Sequence, residues 1–525
     1  MIEDFSRKVY LSKSRYCSGL QCPKMIWMKK YKRNLFDEEV LNKMILTAGT
    51  QIGELARGIF GEYHLVPFSD NHQEMIQATE NELSNNTGVI CEASFEYKGL
   101  FCSVDILVNH GNRIVEFYEV KSSKEKDDIK EVYYNDIAYQ YSVLTHLGFT
   151  VKTANLVRIS NSYVRHGDID LKKLFTIDDV TKTIVAMQDD LNDKILFLSD
   201  FMARYDKDHE PDTPLSMGCF KPNSCGFFKY CSRALPKPNV FDVAGVGFDK
   251  RKQVEAFNRG VFTFEDVRDN CKLSAKQRLQ VNHEIDKNLE PHIDVNKIRK
   301  FLDTLSYPLY FLDFETVMDG VPRFDNCAPY SQIPFQYSLH YINEPGGTIY
   351  HRQYLARPGY DPRRELAEQL CKDIPLDVCT TAYHMQFEKD RIKEMADLFP
   401  DLSNHLMNIH THIKDLEDPF KHGDYYKREF VGRSSIKVVL PGLFPDDPNM
   451  DYSSLDGVHN GGDAIQAYRD MCEMANPEEI EKKREQLLKY CYKDTYAMVG
   501  LLYKLYEAVG ITNYLHMDPK RIIEE

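Results

Sequence analysis

Two patterns of carboxylates and one of cysteines carry the chemistry in this sequence. SVDIL supplies Asp105, and YEVKSS supplies Glu119 and Lys121. Strand side chains alternate, so Glu119 and Lys121 share a face, and antiparallel pairing would bring Asp105 beside them. Two carboxylates suit a hard Mg²⁺ or Mn²⁺, and an adjacent ammonium orients water or stabilises charge on a scissile phosphate. The same residues also suit a solvent-facing charged pair on a sheet edge. Further on, YFLDFET gives Asp313 and Glu315, again on one face of a strand, and LLKYCYKDTYAM gives Tyr490 and Asp494, four apart on a predicted helix. Glu388 opens the helix predicted in AYHMQFEKDRI. These four acids would hold two metal ions about 4 Å apart, one activating water and one stabilising the leaving oxygen of a phosphodiester. Taken alone, Asp-x-Glu equally serves as a cap or a surface pair.

The stretch SMGCFKPNSCGFFKYCSRALPKP sets Cys219, Cys225 and Cys231 at equal spacing, and LSKSRYCSGLQCPK places Cys17 and Cys22 near the start. Zinc, a cluster or unligated core thiols would each account for cysteines of this kind. Zinc is the poorer match, because Cys₄ zinc sites usually show close C-x2-C pairs.

The elements that position these groups follow from apolar spacing and turn residues. Residues 35–62 read as helix, with Leu41, Met44, Ile45, Ile52, Leu55 and Ile59 near helical spacing. Residues 89–123 read as three strands joined at Gly99 and at Gly111 and Asn112. Helices are expected near 128–147 and 177–205, a boundary at ALPKPNV, and a helical connector to about residue 300. A new domain opens at SYPLYFLDFETV, with strands at FQYSLHYI and TIYHRQYLA, a strand running into a helix from CTTAYHMQF, and one or two C-terminal helices. The expected class is a multidomain α/β protein, with domains over 1–235 and 301–525 and the connector over 236–300.

At 525 residues the chain exceeds a single core. No run approaches the roughly 18 apolar residues of a membrane span. The start, MIEDFSRKVYLSKSRY, lacks an apolar signal core, and thirteen cysteines without export point to a reducing compartment, so a cytoplasmic location is expected. A net charge of −14 runs against a simple nucleic-acid binder, yet carboxylates gathered around metal ions carry local acid that the metals neutralise. The basic clusters MKKYKR at 28–33 and DKRKQ at 249–253 suit either a solvated face or a guide for a strand.

Asp105-x13-Glu119-x-Lys121, preceded by GTQIGELAR and followed by Tyr139-Gln140-Tyr141, resembles the RecB-like branch of the PD-(D/E)xK nucleases. The resemblance implies that Asp105, Glu119 and Lys121 form a catalytic core with Gln140 near the bound strand. Gly53 stands where that family often has histidine, which makes Glu54 and Glu92 accessory ligand candidates. RecB-like nucleases with an iron–sulfur cluster carry one cysteine before the core and three after it, which implies a [4Fe–4S] cluster on Cys22, Cys219, Cys225 and Cys231, with Cys17 spare. Asp313-x-Glu315, a Phe-acid pair opening a helix and Tyr490-x3-Asp494 together resemble the DnaQ-like, RNase H-fold exonucleases of the tyrosine subtype. In those enzymes the tyrosine positions the attacking water. They typically have asparagine where His384 stands and aspartate where Glu388 stands; Asp415 is a fallback ligand. LSKSRYCSGLQCPK, YFLDFET, IPFQYSLH, SIKVVLPGL and YCYKDTYAM also resemble a bacterial family of fusions, catalogued chiefly as a domain of unknown function, that join these two modules. The implied activity is metal-dependent hydrolysis of nucleic acid, DNA before RNA, at single-stranded ends, with Mg²⁺ or Mn²⁺ at Asp105, Glu119, Asp313, Glu315, Glu388 and Asp494. The alternatives are a cluster-stapled nucleic-acid-binding scaffold with one or both centres inactive, and an RNA-directed nuclease.

Overall fold

The computed structural model describes residues 11–40, 43–125, 128–512 and 522–525, with the side chains of 43–46 also outside the description. The expectations for the first ten residues and for Leu41, Met44 and Ile45 lie outside the described residues. The chain is a mixed α/β protein of two units, Met1–Ala234 with Asp319–Ser331, and Leu235–Met318 with Gln332–Glu525. The helices over 236–300 therefore group with the second unit, and the segment Asp319–Ser331 groups with the first. Among the described residues no helix is long and apolar enough to cross a membrane.

The first unit is built on strands β1 (Leu11–Ser12), β2 (His64–Leu65), β3 (Val89–Tyr97), β4 (Leu100–Asn109), β5 (Ile114–Lys124), β6 (Thr150–Ile159) and β7 (Phe175–Asp179). They pair in the order β2-β3-β4-β5-β6-β7, with β1 added to β4. Lys98 and Gly99 both take positive φ, which lets two residues turn β3 into β4. The connection from β5 to its parallel neighbour β6 runs through helix Glu131–His146, as a crossover between parallel strands requires. That helix buries Ile137, Ala138, Tyr139, Val143 and Leu144 in the core. Sequence periodicity left β6 unassigned because TVKTANLVRI changes midway from alternating exposure to a fully buried run. The segment Asp319–Ser331 is tied in through Arg165, whose Nη1 donates to the carbonyls of Pro322 (3.0 Å) and Arg323 (2.7 Å), and through the Tyr330 hydroxyl, which donates to the Ser122 carbonyl.

The second unit contains β8 (His292–Ile293), β9 (Leu309–Val317), β10 (Ile333–Ile342), β11 (Ile349–Leu355), β12 (Cys379–Ala382), β13 (Ile413–Asp415), β14 (Tyr425–Tyr426) and β15 (Ile523–Glu524). Six of these form a sheet in the order β13-β12-β9-β10-β11-β15, while β8 pairs with β14. On β9, Tyr310, Leu312 and Phe314 enter the core formed with helices Arg363–Asp373, Gln386–Leu398 and Ser403–His412. Alternation turns Asp313 and Glu315 the other way. Helix Pro477–Ala508, a single helix, packs against β9 and β10. Its start is set by Asn476, whose side chain accepts from Glu478 N, by Pro477 and by two glutamates in the first turn. The helices over 250–302 each begin at a capping side chain: Asp249, Thr263, Ser274 and Asp294.

Candidate functional site

In the first unit the ladder between β4 and β5 ends at Ile106 opposite Tyr118, one step before Asp105 and Glu119. On the other side of β4, Glu92 has φ 57° and leaves the pairing between Cys91–Ile106 and Ala93–Val104. The sheet thus opens at these carboxylates, a local distortion of the kind found beside functional sites. Asp105 Oδ2 bridges the fork by accepting from Val120 N at 2.7 Å. Lys121 Nζ lies 2.6 Å from Glu119, and Gln140 Nε2 donates to the same carboxylate at 2.7 Å. Two further groups complete the cluster. Lys13, the residue after β1, reaches both Glu119 oxygens at 3.1 and 3.0 Å, and Asp136 accepts from Lys121 one helical turn before Gln140. Burial works against ionisation of Glu119, but Lys121 and Lys13 outweigh it and hold this carboxyl well below the usual range. Burial and the charge of Glu119 push Asp105 up to about 7.

Glu92 pairs with Arg57 at 3.2 Å, whereas Glu54 lines a separate open cavity with Arg165 and Arg323. A side chain at Gly53 would meet nothing within 4 Å. Cys17 donates to Asp136 at 3.4 Å, placing it at the carboxylate cluster.

The cysteine segment docks on the first helices. Gln21 Nε2 donates to the carbonyls of Gly218 (2.8 Å) and Asn223 (2.7 Å), and a Cβ at residue 218 would lie 2.2 Å from the Gln21 carbonyl oxygen, so only glycine permits this approach. Cys22, Cys225 and Cys231 pack on one core, and Cys219 is close enough to feel the charges of all three. Burial first, then the neighbouring thiols, raises Cys219 to about 11. Among the described residues no three cysteine sulfurs come within 4.8 Å of one another.

In the second unit, ligand oxygens of Asp313, Glu315 and Asp494 all lie within 4.8 Å of one another. A bulge between Pro334 and Gln336 on β10 falls opposite Glu315 and Thr316, where such an irregularity re-aims a side chain. Glu388 is 2% exposed, with Oε2 finding no partner. Burial, then Asp494 and Glu315, raises Asp313 well above the carboxylate range; Glu315 and Glu388 reach about 8, each chiefly through burial. Burial also raises Asp494, to about 6, although the Tyr452 hydroxyl donates to it at 2.5 Å. Tyr490 accepts from Lys437 Nζ at 3.0 Å, and its own hydroxyl also supports Asp494. Lys437 lies over the rings of both Tyr452 and Tyr490.

His384, at φ 68°, directs Nδ1 to Glu417 at 3.1 Å. Asp415 Oδ1 accepts from the backbone N–H groups of His384 and Glu417, so this oxygen is committed to the turn. Lys13, Asp136, Lys437 and Tyr452 were not singled out from sequence. Asp136 had a signal, the four-residue spacing to Gln140; Lys13 and Lys437 lay inside the quoted phrases LSKSRYCSGLQCPK and SIKVVLPGL; Tyr452 sits in a 3₁₀ turn with no pattern at all.

Buried carboxylates this close cannot all ionise alone, so Asp313, Glu315 and Asp494 form a donor set that suits a divalent cation, while Glu388, with its Oε2 unpaired, lies outside that group. In the first unit a cation would have to share Glu119 with two ammoniums.

Residues 310–435 match the model of a family described as a domain of unknown function (DUF2779). The match includes Asp313, Glu315 and Glu388 and ends before Tyr490 and Asp494. Over 224 residues the chain is 25% identical to an uncharacterized protein, MG366, of Mycoplasma genitalium. That similarity covers 39% of this chain and 33% of the relative, so the match spans about a third of the relative's length.

Proposed function

We propose that the protein is a metal-dependent nuclease with two separate centres, acting on DNA at single-stranded ends. In this reading the first unit is a RecB-like PD-(D/E)xK module with a [4Fe–4S] cluster on Cys22, Cys219, Cys225 and Cys231, and the second is a DnaQ-like RNase H-fold exonuclease module. The observation that carries it is the convergence of Asp313, Glu315 and Asp494, with Glu388 buried nearby. Divalent ions bound there supply Lewis-acid activation of water and charge neutralisation at a phosphodiester. Tyr490, raised far above its usual range by burial and by Asp494, stays a neutral hydroxyl suited to orienting a water. Tyr452 and Lys437 hold Asp494 and Tyr490 in place. In the first unit Lys121, now paired with Glu119, would be the group to meet a developing phosphate charge, and Gln140 fixes Glu119.

Support for a shared site comes from proximity: Cys22, Cys225 and Cys231 pack on one core, and Cys219 lies close enough to feel all three. A cluster bound there would serve as a staple joining Cys22 to the segment 219–231.

The test is an assay of end-labelled DNA and RNA, single-stranded and duplex, with Mg²⁺ and with Mn²⁺. Single-stranded DNA should shorten from an end, and Asp494→Ala should abolish the share due to the second unit. Absence of cleavage under every condition, with binding retained, would favour the scaffold reading. One observation favours that reading at the first centre, where Lys13, Lys121 and Gln140 already occupy Glu119.

A further inference from the structure

The basic cluster at 249–253 leads to a feature that neither acidic centre uses. Ahead of it, Val243–Phe248 forms a hairpin in which Gly245 and Gly247 take φ 93° and 98°. Seven consecutive carbonyls, from Asp242 to Phe248, lie within hydrogen-bond distance of side-chain nitrogens. Gln280 Nε2 takes Asp242 (2.9 Å), and Gln253 Nε2 takes Val243 (2.8 Å) and Phe248 (3.0 Å). Gln277 Nε2 faces Ala244, Gly245 and Val246 at 3.2–3.4 Å, and Lys252 Nζ takes Gly247 at 2.5 Å. The three glutamines are 2–3% exposed, a costly use of buried amides unless the hairpin must keep one orientation.

With the carbonyls turned in, the N–H groups turn out. Among the described residues, the amides of Gly245, Val246, Gly247 and Phe248 donate to no protein acceptor. Successive outward N–H groups form an anion-binding concavity. The tip residue, Val246, is 97% exposed. Beside it lies an open cavity of 650 Å³ whose lining includes Lys252, Arg259 and Lys272; the one acid in that lining, Glu255, is paired with Arg251 at 3.1 Å.

We infer that the hairpin Val243–Phe248 binds phosphodiester groups of a nucleic-acid backbone through its outward amides, with Arg259 and Lys272 adding charge and no base being read. Backbone amides and lysines recognise phosphate without sequence information. The inference stands apart from the nuclease reading, since chelation silences both metal centres without touching this hairpin.

The experiment uses the full chain in EDTA, with fluorescence anisotropy of labelled oligonucleotides of two unrelated sequences. Both should bind with affinities within about threefold of each other, as backbone contacts dictate. Val246→Asp, which places a carboxylate among the amides at a fully solvated position, should weaken both by about tenfold or more, with an unchanged circular dichroism spectrum and melting temperature. Val246→Ala should bind as the unaltered chain does. The double variant Arg259→Gln, Lys272→Gln should flatten the dependence of log affinity on log salt by about one to two. Unchanged binding by Val246→Asp would overturn the proposal, as would a preference of more than tenfold for one sequence. Displacement by millimolar inorganic phosphate would overturn it as well, because it would assign the hairpin to a small free anion.

Discussion

The two acidic centres are built on opposite electrostatic plans. At the first, three carboxylates, Asp105, Glu119 and Asp136, face two ammoniums, Lys13 and Lys121, leaving one net negative charge. At the second, the cations that act on the acids, Lys437 on Glu315 and Asp494, Lys493 on Asp494 and Arg391 on Glu388, form no ion pair with any of them among the described residues. The first centre carries directly paired counter-ions that hold Glu119 low; the second lacks direct pairs, and burial raises its acids. A carboxylate cluster is therefore a poor guide to metal demand until the cations around it are counted.

The largest effect expected from this contrast is on catalysis. Asp494→Ala should lower cleavage by the second unit roughly 100-fold or more, in keeping with the several kcal/mol of charge stabilisation that bound metal ions supply. Asp105→Ala should leave that cleavage intact. Equal loss of every activity from either substitution would mean that the two centres work as one.

Metal binding sharpens the comparison next. Titration calorimetry with Mn²⁺ should find tighter sites in the second unit than in the first. Lys13→Met should strengthen binding at the first centre by about tenfold, since one competing ammonium is gone. If Lys13→Met leaves Mn²⁺ affinity unaltered, Lys13 is not a counter-ion.

Stability should respond to pH in one direction at the second centre and in two opposed directions at the first, where Asp105 is raised and Glu119 lowered. The acids of the second unit have folded pKa values raised from about 4 toward 6–8. Without metal the folded unit thus binds more protons than the unfolded chain across that window, and its stability falls as pH rises from about 4 to 8. Glu119, held low, contributes stability present above about pH 4.5 and lost on acidification. In EDTA the melting temperature of the second unit should drop by several degrees between pH 5 and pH 8, and millimolar Mn²⁺ should remove the drop. A flat profile in EDTA would contradict the raised carboxyls.

The smallest expected effect is at Tyr490. Removing only its hydroxyl, Tyr490→Phe should slow cleavage about tenfold with an unchanged melting temperature, because Tyr452 still donates to Asp494. A rate unchanged by this substitution would take Tyr490 out of water positioning.

Sequence made the carboxylates easier to find than the cations that decide their behaviour. Glu119 and Lys121 lie on one strand, and Tyr490 and Asp494 on one helix, so local periodicity alone puts each pair on one face. The three-strand block from 89 to 123 was legible for the same reason, with alternation broken by Gly99 and Gly111. Lys13 meets Glu119 only because two residues of β1 add to β4, and a two-residue strand has no periodicity to read. Lys437 reaches Tyr490 from a helix and Tyr452 reaches Asp494 from a 3₁₀ turn, each more than forty residues earlier, a coincidence of packing that no spacing rule encodes. The hairpin at 243–248 hid behind its composition: glutamines read as surface residues, and their burial follows only from the carbonyls they serve.

The segment Asp319–Ser331 has a consequence for how the chain is made. It belongs to the first unit, yet it is encoded after β9 of the second. As synthesis proceeds from the N-terminus, the nascent first unit lacks the partners of Arg165 and the Tyr330 hydroxyl until residue 331 has cleared the ribosome. By then the helices over 250–302 and the strand that carries Asp313 and Glu315 have already emerged. The two units must mature in overlap, and a cut at residue 235 yields a first unit missing a piece of itself.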